Sequence, residues 1–325
     1  MKNYSVKPYR ESDYANWNAF IGQAKNATFL FHRDFMEYHK DRFKDFSLMV
    51  FEDEKLIAVL PANRVGDIVY SHQGLTYGGL VSNEQSKLTT VINAFRSILL
   101  FLEENEIQKL HLKTIPYIYN TKPAEEIQYA LFLAEAQLVR RDSLSVIDLS
   151  QKNKLSKIRK RGIRKALLNG LIIKEEEVFE SFWNEILIPN LIEKHHVKPV
   201  HSIAEIKLLK SHFPNNVRQF NVFYNDKIVA GTTVFESERV AHCQYISKYE
   251  KGDNLGSLDL LCHFLITEVF SDKRFFDFGT SNEAQGRKLN KGLSYWKESF
   301  GAGTVAHDFY EVETAHHFKL ENIFV

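Results

Sequence analysis

Cysteine is almost missing. Cys243 and Cys262 are the two in 325 residues, and nothing beside them reads as a CxxC pair. Two thiols cannot build a disulfide framework, so both read as buried, reduced side chains of a protein kept in a reducing compartment. Long apolar runs are missing too. The densest, Ile98 to Leu102, falls far short of the ~18 residues a membrane span needs. Residues 1–10 are polar and lack the apolar core of a secretory signal. The expectation is a cytoplasmic protein with no transmembrane segment and at most peripheral membrane contact. Net charge is nearly absent, at +1. That argues against a DNA-binding protein and leaves attraction to other polyanions to a local patch. Several catalytic signatures are also lacking. There is no GxSxG elbow of a serine hydrolase and no Walker loop of a P-loop ATPase. His195-His196 and His316-His317 stand outside HExxH or other ligand spacing, and adjacent residues do not share a helical face, so no metal site is expected.

What is present is an ordinary globular balance, 44% hydrophobic and 26% charged residues, which excludes disorder as the main state. The length suits two domains of roughly 150 residues, placed at 1–150 and 151–325. The two halves repeat each other in order. Residues 47–51, 55–62 and 68–71 read as three antiparallel strands, as do 220–224, 227–235 and 239–247. Lys55 to Ala58 lines up with Lys227 to Ala230, about half a chain apart. Each meander is followed by a Gly-containing loop (73–79 and 252–256) and an amphipathic helix (85–105 and 257–270), with Leu88, Val91, Ile92, Phe95 and Leu99 at helical spacing in the first. A short strand (107–113 and 274–279), a helix (124–136 and 288–300) and a closing strand (141–149 and 304–312) complete each unit. The intervening segment 177–213 is helical in pattern, with Pro189 expected to kink or split it.

Between Lys152 and Lys165 there are eight basic residues and no acid. Leu155, Ile158, Ala166 and Leu167 give the run a thin apolar stripe, and Asn169-Gly170 is a helix stop signal. Charge runs of this kind usually form solvated faces. The alternative is a cationic face for a phosphate-bearing substrate, with Arg159, Arg161, Arg164 and Lys165 as candidates, because guanidinium groups match phosphate oxygens in pairs. The turn after the last strand of the second meander offers Lys248, Gly252, Gly256 and Ser257 as candidate donor-binding residues. Glycines there would let backbone N–H groups and the following helix dipole face a pyrophosphate. They equally suit a plain turn and helix start. Further on, Asp277 sits inside an apolar strand and therefore needs a buried partner or a solvated strand end. Lys297 lies on a short helix above Leu293, Trp296 and Phe300.

At these residues the chain resembles the Fem-type peptidyltransferases, the FemAB-like branch of the GNAT acyltransferases. The resemblance rests on Asp277-Phe278-Gly279 closing a strand, on Gly292-Leu293 followed by Trp296-Lys297 and Phe300-Gly301, and on Arg164-Lys165-Ala166 leading to Asn169-Gly170. Leu60-Pro61 and Tyr77-Gly78-Gly79 in the first half are similar as well. Trp296 stands where that family's pattern has Phe, and the usual Gly-rich donor turn is degenerate here. The resemblance implies an α/β fold of tandem GNAT-like domains, each a mixed, mostly antiparallel sheet flanked by helices. It also implies acyl transfer to an amine on a sugar, peptide or cell-envelope precursor. The donor would be an acyl-CoA such as acetyl-CoA, or an aminoacyl-tRNA with a peptidoglycan or nucleotide-sugar precursor as acceptor. Segment 177–213 is too short for the long helical arm of the classical aminoacyl-tRNA enzymes. In such a reaction Lys297 would stabilise the oxyanion, Asp277 would orient the amine or take its proton, and Tyr295 or Tyr245 would protonate the leaving group. The rival reading is a non-catalytic module that holds RNA or an anionic glycan through the basic helix.

Overall fold

The computed structural model describes residues 2–249 and 255–325. The chain packs as two compact units, Met1–Asp142 with Ala306–Val325, and Ser143–Val305. The boundary near residue 150 read from the sequence falls instead at Ser143, and the chain end returns to the first unit. Strand pairing explains both. The end of strand Gln137–Asp148 bonds antiparallel to Phe275–Thr280 in the second unit, whereas the end of strand Gly303–Glu313 bonds antiparallel to Lys109–Lys113 in the first.

In the first unit, Tyr4–Pro8, Leu48–Glu52, Lys55–Leu60 and Val81–Ser82 form a four-stranded antiparallel sheet. The expected third strand of the meander joins a different partner. Ile68–Tyr70 makes a hairpin with Asn63–Val65 and runs parallel to Lys109–Lys113. Pro61 lacks an N–H for the ladder, which resumes beyond it as Phe46 N donates to Ala62 O and Arg64 N to Lys44 O, each at 2.9 Å. Helix Leu88–Glu104 buries the predicted face from Val91 onward, while Leu88 at its first position is 42% exposed. Val91, Ile92, Phe95, Ile98, Leu99 and Leu102 lie at 3% exposure or less, each side chain worth roughly 1.5–3 kcal/mol of burial. Gly78 of the Tyr77-Gly78-Gly79 motif fits a tight approach, since a Cβ there would strike the Ser71 backbone. Tyr77 is buried and donates to Thr28 Oγ1 at 2.9 Å.

In the second unit the meander has the expected form: Val217–Tyr224, Lys227–Glu236 and Val240–Lys248 are antiparallel, with Ile172–Glu176 on the outer side of the first. Helices Lys157–Leu168 and Ser257–Phe264 supply Ile163, Ala166, Leu260, Leu261 and Cys262 to its core, beside Phe220, Val234 and Phe276. The basic helix begins at Ser156, whose hydroxyl accepts from Arg159 N at 3.3 Å, and stops at Asn169 as its signal predicts. Pro189 does not split its helix. Glu180–Phe182 runs through a π turn at Trp183–Leu187 into Ile188–His195. The widened turn accommodates the i→i−4 bond that proline cannot donate. Val240–Lys248 and Phe275–Thr280 are parallel, and they pair only at Val240–Phe275, Ala241–Phe276 and His242–Asp277. Beyond that rung the two strands part. No helix among the described residues is long and apolar enough to cross a membrane.

Candidate functional site

The chemistry-bearing residues of the second unit gather where those two strands part. Asp277 is 1% exposed and both its oxygens are hydrogen-bonded. Oδ1 takes the Gly279 backbone N–H at 2.7 Å, and Oδ2 lies 2.9 Å from His242 Nδ1. The strand can bring an acid here without an unpaired buried charge because the next residues bend back to solvate it. Gly279 makes that bend at φ +70, a conformation open to glycine at little steric cost. The same bend turns two carbonyls toward helix Lys291–Glu298. Lys297 Nζ donates to Gly279 O at 3.0 Å and to Thr280 O at 2.7 Å. Burial pulls the Lys297 ammonium down to about 8, opposed by the charge of Asp277. Asp277 and Lys297, separate candidates in the sequence, therefore share one cluster. An ammonium has three N–H groups, and the two carbonyls engage two of them.

Helix Lys291–Glu298 also borders a second feature. Trp296, stacked edge-on against Phe278 and Phe300 at 5.7 and 5.1 Å, lines a cleft of about 550 Å³. The other walls are the basic helix, through Arg159, Arg161 and Lys165, the strand end at Lys248, and the helix start at Gly256 and Ser257. The two helices meet closely. A Cβ on Gly256 would lie 2.9 Å from the Gly162 carbonyl carbon, and one on Gly162 would lie 2.8 Å from Asp259 Cγ. Arg159 is paired with Asp259 across this contact. Burial pushes the Asp259 carboxyl up, against the pull of that guanidinium. Arg161 and Lys165 form no ion pair among the described residues, so their charge is directed to the cleft and to solvent.

The remaining candidates lie apart from the Asp277–Lys297 cluster. The Tyr245 hydroxyl bonds to His201 Nδ1 at 2.7 Å and accepts from His201 N at 3.3 Å. Burial pushes it up to about 12, which makes it a poor proton donor near neutrality. Tyr295 is 56% exposed on the outward face of its helix. Arg164 is exposed and is not among the residues lining the cleft. Gly252 lies outside the described residues. Burial pushes the Cys243 thiol up to about 12 and the Cys262 thiol well above its ordinary value, so neither is poised as a nucleophile. Among the described residues no three His, Cys, Asp or Glu side chains converge as metal ligands. Sequence reasoning passed over His242 and Asp259. His242 stands in an unremarkable alternating strand, and the one available signal was Asp277 itself, which demanded a partner.

Comparison of the sequence with protein-family models and with curated proteins finds no match. Solved structures do match in shape. FemX aligns with a TM-score of 0.68 at 10% identity, over 97% of this chain and 99% of that one. L-PGS from Bacillus licheniformis aligns with a TM-score of 0.57 at 10% identity, over 86% and 90%. A tandem GNAT protein from the clavulanic acid biosynthesis pathway aligns with a TM-score of 0.53 at 10% identity, over 96% and 99%. The chain thus has the mixed α/β fold of the FemAB-like, tandem GNAT proteins.

Proposed function

We propose that this chain is an acyltransferase that moves an acyl group from an activated, phosphate-bearing donor to an amine. The observation that carries the reading is Lys297. It is a buried ammonium held by two carbonyls at the point where two parallel strands part, with a cationic cleft on the other side of its helix. Attack on an acyl ester or thioester builds negative charge on the carbonyl oxygen, and a preorganised donor in a water-poor site stabilises it, typically by ~3 kcal/mol. The amine acceptor would belong to a sugar, peptide or cell-envelope precursor.

Acetyl-CoA is the donor suggested by the GNAT fold. One observation favours an aminoacyl-tRNA instead. The N-terminus of helix Ser257–Phe264, where a pyrophosphate would gain from the helix dipole, already holds Asp259 in its first turn and abuts Gly162 of the basic helix. The Asp259–Arg159 pair and the basic helix occupy the place a pyrophosphate would take. The cations that line the cleft, Arg161, Lys165 and Lys248, suit phosphates that lie along the basic helix. Thermal unfolding with acetyl-CoA, longer acyl-CoAs or a charged tRNA pool separates the two donors. A ligand at ~100 times its Kd stabilises by ~2.7 kcal/mol, a shift of a few degrees. A shift with an acyl-CoA identifies a CoA-dependent N-acyltransferase, and a shift with charged tRNA alone identifies an aminoacyl transferase. Salt-sensitive tRNA binding without acyl turnover would replace both with a binding module.

A further inference from the structure

The acyl-transfer reading leaves one step without a residue: the attacking amine loses a proton as its bond to carbon forms. Lys297 cannot take it while it serves as a cation. Tyr245 is bonded to His201, and Tyr295 points outward. Asp277 is fully enclosed, with both oxygens already hydrogen-bonded. Beside the Lys297 ammonium Asp277 is favoured as a carboxylate, which can only accept, so its Oδ2 contact selects a donor. That donor is His242 Nδ1. The Nδ1 proton therefore sits between the two residues, and the lone pair of the imidazole is on Nε2.

Three further observations bear on Nε2. It makes no hydrogen bond among the described residues, and the His242 side chain keeps 12% exposure while Asp277 has 1%. His242 is the last rung of the parallel pairing, beyond which the two strands part. Its Cε1 also lies beside Gly279, where a Cβ would come within 3.3 Å. The imidazole thus borders the bend whose carbonyl holds Lys297. The ionisable group in contact with the ring is Asp277 on the neighbouring strand, which also acts on Lys297 of helix Lys291–Glu298.

We infer that His242, oriented by Asp277, is the general base of the site, an inference that rests on the acyl-transfer reading above. As the amine nitrogen attacks, the N–C bond forms and the carbonyl π electrons move onto oxygen beside Lys297. The amine proton passes to His242 Nε2. When the carbonyl re-forms, the C–O bond of an ester or C–S bond of a thioester breaks. The leaving oxygen or sulfur collects the proton from Nε2, which restores neutral imidazole. No oxidant, metal or further co-substrate is needed.

The test uses the full chain with acetyl-CoA, a charged tRNA pool and p-nitrophenyl acetate as donors, and glucosamine and glycylglycine as amines. Wild type, His242→Gln, His242→Ala and Asp277→Asn are compared, with thermal unfolding as the fold control. General-base loss lowers kcat/KM by roughly 100-fold or more. His242→Gln is expected to show that loss. Added imidazole restores part of the rate in His242→Ala. Asp277→Asn, which keeps its shape but no longer enforces the Nδ1–H tautomer, falls by a similar factor without imidazole rescue. Wild-type turnover that His242→Gln leaves within threefold, or a loss that imidazole does not relieve in a folded His242→Ala, overturns the base assignment and leaves the acyl-transfer reading standing. A wild-type chain that turns over none of these donors overturns both.

Discussion

At Lys297 two influences act against each other. Burial disfavours the ammonium, while Asp277 and the carbonyls of Gly279 and Thr280 favour it. The result is a lysine lowered to about 8 from the usual 10.5, charged at neutral pH but close to its titration. Two outcomes follow at this residue. First, kcat/KM for acyl transfer declines as pH rises through about 8, and Lys297→Ala lowers it at least about tenfold with the fold intact. Unchanged turnover would remove Lys297 from the chemistry. Second, the same titration appears in stability. Between about 8 and 10.5 the unfolded chain binds this proton and the folded chain does not. The Lys297 contribution to stability therefore increases with pH across that window and is at its lowest below 8. Denaturant midpoints measured from pH 7.5 to 10.5 should show this component in wild type and lack it in Lys297→Met.

At the scale of elements, the decisive contact is between helices Lys157–Leu168 and Ser257–Phe264. Gly162 and Gly256 let the two backbones approach until the Arg159–Asp259 pair closes over the seam. Gly256 is the stricter of the two. It sits at φ +79, and the obstacle to a side chain is backbone, which cannot rotate away. At Gly162 the obstacle is the Asp259 carboxylate. Gly256→Ala should therefore destabilise the chain, by roughly 1–3 kcal/mol for the forced displacement, with added cost for the left-handed φ. Urea unfolding measures it. A variant within 0.5 kcal/mol of wild type would mean that the helices can separate freely, and the cleft would then be adaptable rather than built. The π turn at Trp183–Leu187 shows the same economy on another element: one widened turn accommodates Pro189 and leaves Phe182, Trp183 and Ile186 buried.

At the scale of the whole molecule, a net charge of +1 means that attraction to a polyanion has to come from where the cations are concentrated. If the basic helix carries it, Arg161→Glu combined with Lys165→Glu weakens tRNA binding and reduces the slope of log K against log salt by about 2. Filter binding between 50 and 200 mM salt reads that slope, and an unchanged value would place the contacts elsewhere. By itself the sequence determined the local and the repeated: two α/β units in tandem, the apolar face of Leu88–Glu104, the stop of the basic helix at Asn169, and Asp277 and Lys297 as separate candidates. Period, caps and a charge inside an apolar strand are short-range signals, readable within a few residues. Tertiary structure alone decided that Ile68–Tyr70 leaves its expected sheet and that the closing strands Gln137–Asp148 and Gly303–Glu313 each carry their ends into the other unit. It also decided that Gly162 meets Gly256, and that His242 meets Asp277 from 35 residues away. Strand partners and through-space pairs depend on long-range register, and in a single sequence nothing in the spacing of residues records which strand lies beside which.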